Sequence, residues 1–153
     1  VTEKNWGRIE GRGCFLSRVF PAWQVVRLDD TGGVVVIVNT EDYKDMFRHL
    51  RCTSVCKPFA SGSAPTLLTC LHTFKKKCYR TVLCEIDAQS LLPIRLSDPV
   101  IFHPGSVIEF ASGLEVVGDN VFVGLGIDDR SACIYRISKD AVRTLLVHTC
   151  SKK

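Results

Sequence analysis

The sequence predicts a mostly-β protein of three blade-like antiparallel sheet units, with one or two short helices. Three observations carry that expectation. Runs of β-branched and aromatic residues recur along the chain, each bounded by Gly, Pro, Asn, Asp or Ser. The runs fall into three blocks, about 3–50, 57–100 and 101–150, within one domain spanning 1–153. A repeat of that period suits the blades of a β-propeller, here a partial one, because each small sheet buries its faces against its neighbours. A β-sandwich uses the same strands and remains the alternative.

In the first block, residues 14–20 read as a strand closed by Pro21. Residues 23–28 make the next, followed by the turn Asp29-Asp30-Thr31-Gly32-Gly33. The β-branched run 34–38 suits a buried strand. Behind Thr40 as an N-cap, Tyr43, Met46, Phe47 and Leu50 fall at helical spacing over 41–50, a helix or an irregular insertion.

The second block opens on the small, polar loop 57–65. Residues 66–74 form a strand carrying His72, 78–87 its hairpin partner, and 91–96 an outer strand. Lys75-Lys76-Lys77 reads as a solvated hairpin loop between apolar runs.

The third block, 107–139, is strand, tight turn, strand, short loop, strand. Ile108 and Phe110 alternate with polar neighbours, and Gly118-Asp119-Asn120 supplies a turn that tolerates positive φ. Gly124 and Gly126 thin the second strand, as happens where a backbone or ligand comes close. Asp128-Asp129-Arg130 follows at the strand mouth, either a ligand-facing triplet or a solvated turn. Residues 138–147 close the block as a short helix or strand-like segment.

Composition narrows the function classes. An apolar content of 46% fits a globular chain, and no run approaches the ~20 apolar residues of a membrane span. The net charge of +4 is mild and carries no basic stripe with interleaved aromatics, so no nucleic-acid partner and no membrane partner is expected. Without an initiator Met or an apolar leader, the chain reads as an excised or processed piece. The eight cysteines are read as reduced thiols, which favours the cytoplasm; disulfides would instead mean secretion. Cys70, Cys84 and Cys133 sit in apolar strand patterns as small hydrophobes. Cys52-x-x-x-Cys56 lacks a second ligand pair, so no metal site is assigned. Ser61-Gly62-Ser63 and Ser112-Gly113 lack the strand-elbow-helix context of a hydrolase nucleophile, and Gly124-x-Gly126 lacks a dinucleotide fingerprint.

Four stretches resemble one family. They are Glu3-Lys4-Asn5-Trp6 with Pro21-x-x-x-Val25; Gly62-Ser63-Ala64-Pro65 with Leu67-Leu68-x-x-Leu71-His72; Tyr79-Arg80, Asp87 and Ser97-Asp98-Pro99-Val100; and Ile108-Glu109-Phe110-Ala111-Ser112-Gly113-Leu114 with Gly126-Ile127-Asp128-Asp129-Arg130. Their order resembles the C-terminal part of five-bladed β-propellers related to the β-mannoside phosphorylases and hydrolases, propellers that also accompany glycosyltransferases. The resemblance implies further blades, or a protein partner, over the open sheet edges. It implies a glycan partner at the propeller mouth, no cofactor, and inorganic phosphate as co-substrate if the domain is active. Leu125-Gly126 stands where the family has Tyr-Gly.

Glycosidic cleavage needs an acid and a nucleophile or activated water, usually two carboxylates, and phosphorolysis needs a cation to hold phosphate. By the resemblance, Asp129 would hydrogen-bond sugar hydroxyls, with Arg130 beside it, and His72, Tyr79 and Arg80 would hold phosphate or sugar. Glu3, Lys4 and Asn5 would line the same mouth. The plainer readings are a turn at Asp129, a strand-end His72 without a ligand, and an Arg80 paired with Glu85 or Asp87. No catalytic residue is assigned. Two functions stand: a carbohydrate-active domain, with or without turnover, and a non-catalytic glycan- or protein-binding module.

Overall fold

The computed structural model describes residues 5–60, 63–73 and 78–151. β1 (Gly7–Ile9), β2 (Cys14–Arg18), β3 (Trp23–Leu28) and β4 (Val34–Thr40) form an antiparallel meander in that order. The second sheet contains β5 (Leu50–Cys52), β6 (Lys57–Pro58), β7 (Thr66–Thr73), β8 (Thr81–Asp87) and β9 (Pro93–Leu96). β10 (Glu109–Val117), β11 (Asn120–Ile127) and β12 (Ser131–Ser138) make the third, again a meander. The chain then runs through α1 (Lys139–Leu145) and returns as β13 (His148–Thr149) to pair with β9 at the edge of the second sheet. The protein is therefore all-β, with three antiparallel sheets and one short helix among the described residues.

The second sheet is the central layer. Alternation along β7 sends Leu67 and Leu71 into a core shared with Leu16, Trp23 and Val25 of the first sheet. Leu68 and Cys70 point the other way, into a core shared with Ala111, Val123 and Leu125 of the third. Burial on both faces is why β7 and β8 are near-continuous apolar runs without the usual alternation of a one-sided sheet. Trp23 ties the first two sheets further, its indole N–H donating to the Leu91 carbonyl at 2.8 Å.

The turns follow their residues. Gly118 (φ 54°) and Asp119 join Val117 to Asn120 as a two-residue loop. Asp128 and Asp129, at φ 49° and 53°, connect β11 to β12, with Arg130 N–H donating to Ile127 O. Positive φ at both central positions is the type I′ geometry that matches strand twist. Ser138 caps α1 by accepting from the Ala141 N–H at 3.1 Å.

Of the two readings open for 41–50, the structure shows the irregular insertion: Phe47 N–H reaches Tyr43 O, but Lys44 reaches only Glu41 and Leu50 only Phe47. Tyr43 and Phe47 are pinned on the core beside Trp23, Met46 is exposed, and Leu50 is already in β5. Three other expectations are corrected. β4 is not buried, because it is the outer strand of the first sheet: Val34–Ile37 are open to solvent and only Val38 packs half-buried against the core. In β10 the inward positions are Glu109 and Ala111 rather than Ile108 and Phe110. Gly124 faces Gly113 across the strands, but an added Cβ would meet its backbone at 3.7 Å, an ordinary van der Waals contact, so no close approach demands a glycine there. The lysine loop 75–77 lies outside the described residues.

Candidate functional site

Two places draw attention: a polar junction where the second sheet meets the third, and the open edge of the first sheet.

At the junction, β8 begins just after Tyr79 and Arg80, and Tyr79 forms a parallel bridge to Ile108 at the entry to β10. Tyr79 N–H donates to Val107 O at 3.2 Å, and Glu109 N–H to Tyr79 O at 3.2 Å. His72, at the end of β7, stacks on Tyr79 with ring centroids 5.4 Å apart and packs against Phe110 at the same separation. His72 is 5% exposed, its Nδ1 has no hydrogen-bond partner among the described residues, and burial together with the Arg51 charge pushes its pKa down to about 4. The imidazole is neutral at ordinary pH.

Arg80 is held by carbonyls. Its Nη1 donates to Tyr79 O (3.1 Å) and Val107 O (3.2 Å), and its Nη2 to Ser106 O (2.5 Å). The same guanidinium stands 3.9 Å from the Glu109 carboxylate. It pairs with neither Glu85 nor Asp87: Glu85 meets Arg95 at 2.7 Å, and Asp87 accepts from Gln89 and Ser90. Glu109 is fully buried and accepts from Phe102 N–H, His103 N–H and Ser106 Oγ–H at 2.9–3.1 Å.

Asp128 completes the arrangement. Its Oδ1 accepts from Val107 N–H (2.9 Å) and Ile108 N–H (2.8 Å), bonds that hold its pKa below the ordinary carboxylate value. Asp129 and Arg130 are exposed on the same turn. The structure thus gathers His72, Tyr79, Arg80 and the turn 128–130 around residues 106–108. Asn5 is half-buried ahead of β1 and takes no part in these contacts; Glu3 and Lys4 lie outside the described residues. Glu109 and Asp128 were missed as organisers. The signal was a carboxylate set between Ile108 and Phe110, and two consecutive acids in a hairpin turn.

Chemically, the junction is committed inward. Both carboxylates that touch it accept backbone N–H groups, and the guanidinium donates to three backbone carbonyls. A cleft of about 260 Å³, lined by Met46, His49, Leu50, Leu96 and His148 among others, lies under the turns 41–49 and shares none of the predicted site residues. Among the described residues no group of His, Cys, Asp or Glu is arranged to hold a metal ion. No disulfide joins the eight cysteines, and burial pushes the Cys56, Cys70 and Cys150 thiols up to about 12. Thiols so hard to ionise are poor nucleophiles and poor ligands. No helix among the described residues is long and apolar enough to cross a membrane.

The second place is β4, VVVIVNT. Val34 is 56% exposed, Val35 38%, Val36 51% and Ile37 46%, so both faces of this run are open, and among the described residues its outer edge has no partner strand. It carries no charge and no proline; a one-residue bulge, where Val25 pairs with Val38 and Val26 with Val36, is all that blunts it.

No family model, no curated protein and no solved structure matches this chain.

Proposed function

We propose that the chain is a non-catalytic protein-binding module that presents β4 as a docking strand. The observation that carries this reading is the apolar, solvent-open run Val34–Ile37 at the rim of the first sheet. An edge of this kind offers unpaired main-chain donors and acceptors together with side-chain area on both faces, which is the basis of recognition by strand addition. Monomeric proteins normally guard such edges with lysine, proline or a covering loop. The inward commitment of Arg80, Glu109 and Asp128 supports binding over turnover, because glycosidic chemistry asks for carboxylates free to exchange protons. The test is amide hydrogen exchange with and without extended β-branched peptides. Protection confined to residues 34–40, and lost in Val36→Lys, supports the reading; protection elsewhere, or none, defeats it.

A second reading, glycan binding at the junction, has its own support. His72, Tyr79 and Arg80 gather with the turn bearing Asp129 and Arg130, whose exposed side chains can meet a sugar hydroxyl. Titration with manno-oligosaccharides, with and without inorganic phosphate, on the wild type and Asp129→Ala decides it. Binding that depends on Asp129, with no phosphate consumed, would mark a glycan module; phosphate uptake would mark a phosphorylase.

A further inference from the structure

We infer that the cleft beneath the turns 41–49 is a small-molecule site, distinct from the junction and from β4, for an uncharged apolar ligand about the size of two fused rings that carries a hydroxyl. The walls fix the apolar body and its size; the rim fixes the hydroxyl.

The cleft is where the core between the first two sheets runs out. Its floor is one face of the second sheet: Leu50 at the start of β5, Val82 on β8 and Leu96 at the end of β9, all members of that core, with His148 of β13 paired beside Leu96. None of the described lining residues belongs to the first sheet; the roof is the segment 41–49 instead. There Tyr43 and Phe47 are buried, Phe47 lying against Trp23 with ring centroids 5.3 Å apart, while Met46 and His49 are exposed and line the cleft. The roof is therefore anchored by rings that take no part in the lining, so the cavity is preformed and a ligand displaces no core side chain. Close-packed interiors rarely leave room for more than a water. An apolar cavity of about 150 Å³ takes one benzene-sized ring, so about 260 Å³ has room for two.

The rim discriminates between ligand classes. His148 Nε2 lies 2.8 Å from Asp98 Oδ1, and since a carboxylate accepts, Nε2 carries the proton of that bond. Nδ1 is then the remaining polar atom of the ring, and in neutral imidazole it is an acceptor to which a ligand hydroxyl can donate. No Lys or Arg is among the described residues that line the cleft, and Asp98 already offsets any positive charge on His148. A carboxylate ligand thus finds no cation of its own, and burying either a carboxylate or an ammonium among Leu50, Val82 and Leu96 is costly. A hydroxyl needs only the one acceptor.

The probes are β-naphthol and β-naphthoate, the same ring pair with an uncharged and a charged head, titrated into the full chain at neutral pH and read by backbone amide chemical shifts. β-Naphthol is expected to saturate, with shifts centred on the segment 46–50, Val82, Leu96 and His148, and to bind at least about three-fold tighter than β-naphthoate. His148→Phe keeps a ring in the wall and removes the acceptor; it is expected to weaken β-naphthol by about two- to ten-fold and β-naphthoate less. Met46→Trp, at an exposed roof position, adds bulk over the cleft and is expected to weaken both probes. Shifts centred on β4 or on the junction, or β-naphthol binding unaltered in both variants, overturn the inference. Equal or tighter binding of β-naphthoate overturns it as well, since the rim then selects an anion. So does the absence of saturable binding by a protein whose amide spectrum is that of a folded chain.

Discussion

Arg80 and Asp128 divide one segment between them: the guanidinium takes the carbonyls of Ser106 and Val107, and the carboxylate takes the N–H groups of Val107 and Ile108. The two charges come from different sheets, Arg80 at the start of β8 and Asp128 at the β11–β12 turn, so the segment 106–108 is the seam between them. Beneath it, Glu109 is the buried anchor.

Glu109 is expected to be intolerant even of its isostere. Its Oε1 and Oε2 both accept, from His103 and Ser106 on one side and Phe102 on the other. An amide places an NH₂ against one of these donors, so Glu109→Gln should cost roughly 1–2 kcal/mol. Glu109→Ala strands the Phe102 and His103 N–H donors in a fully buried site, while Ser106 Oγ–H keeps the His103 carbonyl at 2.8 Å, and should cost about 3 kcal/mol. Urea unfolding of the two variants measures this. A loss smaller for Ala than for Gln would mean the donors turn to water instead.

His72 predicts acid sensitivity. Its folded pKa of about 4 lies below the ordinary 6.5, so between those values the unfolded chain holds a proton that the folded one refuses. Stability from this group is complete above pH about 6.5 and is lost as pH falls toward 4, a loss on the order of 2 kcal/mol. His72→Phe should flatten that slope. It should be close to neutral at pH 7, because it also removes the unpartnered Nδ1 while keeping a ring against Tyr79 and Phe110. Thermal melts of both proteins across this range give the comparison; identical slopes would remove His72 as the cause.

Gly7 marks a tight contact between the first and second sheets. A Cβ built there would collide with the Ser54 carbonyl oxygen and lie 2.9 Å from Cys52 Sγ. Backbone cannot swing aside as a side chain can, so Gly7→Ala should destabilise by about 1–3 kcal/mol. Gly13→Ala is a useful contrast: φ is +60° but nothing lies within 4 Å, so only local strain is expected. Chemical denaturation of the two variants should rank Gly7→Ala as the worse.

Much of this architecture was legible. β3 begins at Trp23 and ends at Leu28 as the residues and flanking turns imply, and the third meander follows its turn residues closely. What escaped was environment. A run such as Val34–Val38 specifies a strand, but strand preference is the same at a sheet's centre and its edge, so nothing local announced that β4 would be left open. The spacing of Tyr43, Phe47 and Leu50 suited a helix, yet contact with Trp23 and the entry to β5 settled the segment as turns. Asp129 stood out by its position, while the bonding fell to Asp128, whose carboxylate reaches back from the three-residue loop 128–130 to the Val107 and Ile108 N–H groups. The glycines of β11 looked like an approach site, but they face only Gly113 and Phe110 O.

The turn itself offers the sharpest separation of conformation from chemistry. Asp128 and Asp129 share left-handed φ values of 49° and 53°, so glycine at either relieves the same backbone strain. Only Asp128 has a carboxylate bonded to Val107 and Ile108 N–H. Asp129→Gly should therefore leave the melting temperature nearly unchanged, while Asp128→Gly should lower it and speed hydrogen exchange at those two amides. The Asp128 pKa is held down by these bonds, so its contribution is present above the unfolded carboxylate value and is lost as pH falls through the folded one; the two variants should converge in acid. Arg80→Met, which frees the carbonyls of the same segment, should be non-additive with Asp128→Gly, since each change loosens what the other grips. Strict additivity in that double-mutant cycle would mean the segment 106–108 is fixed by its strand neighbours alone.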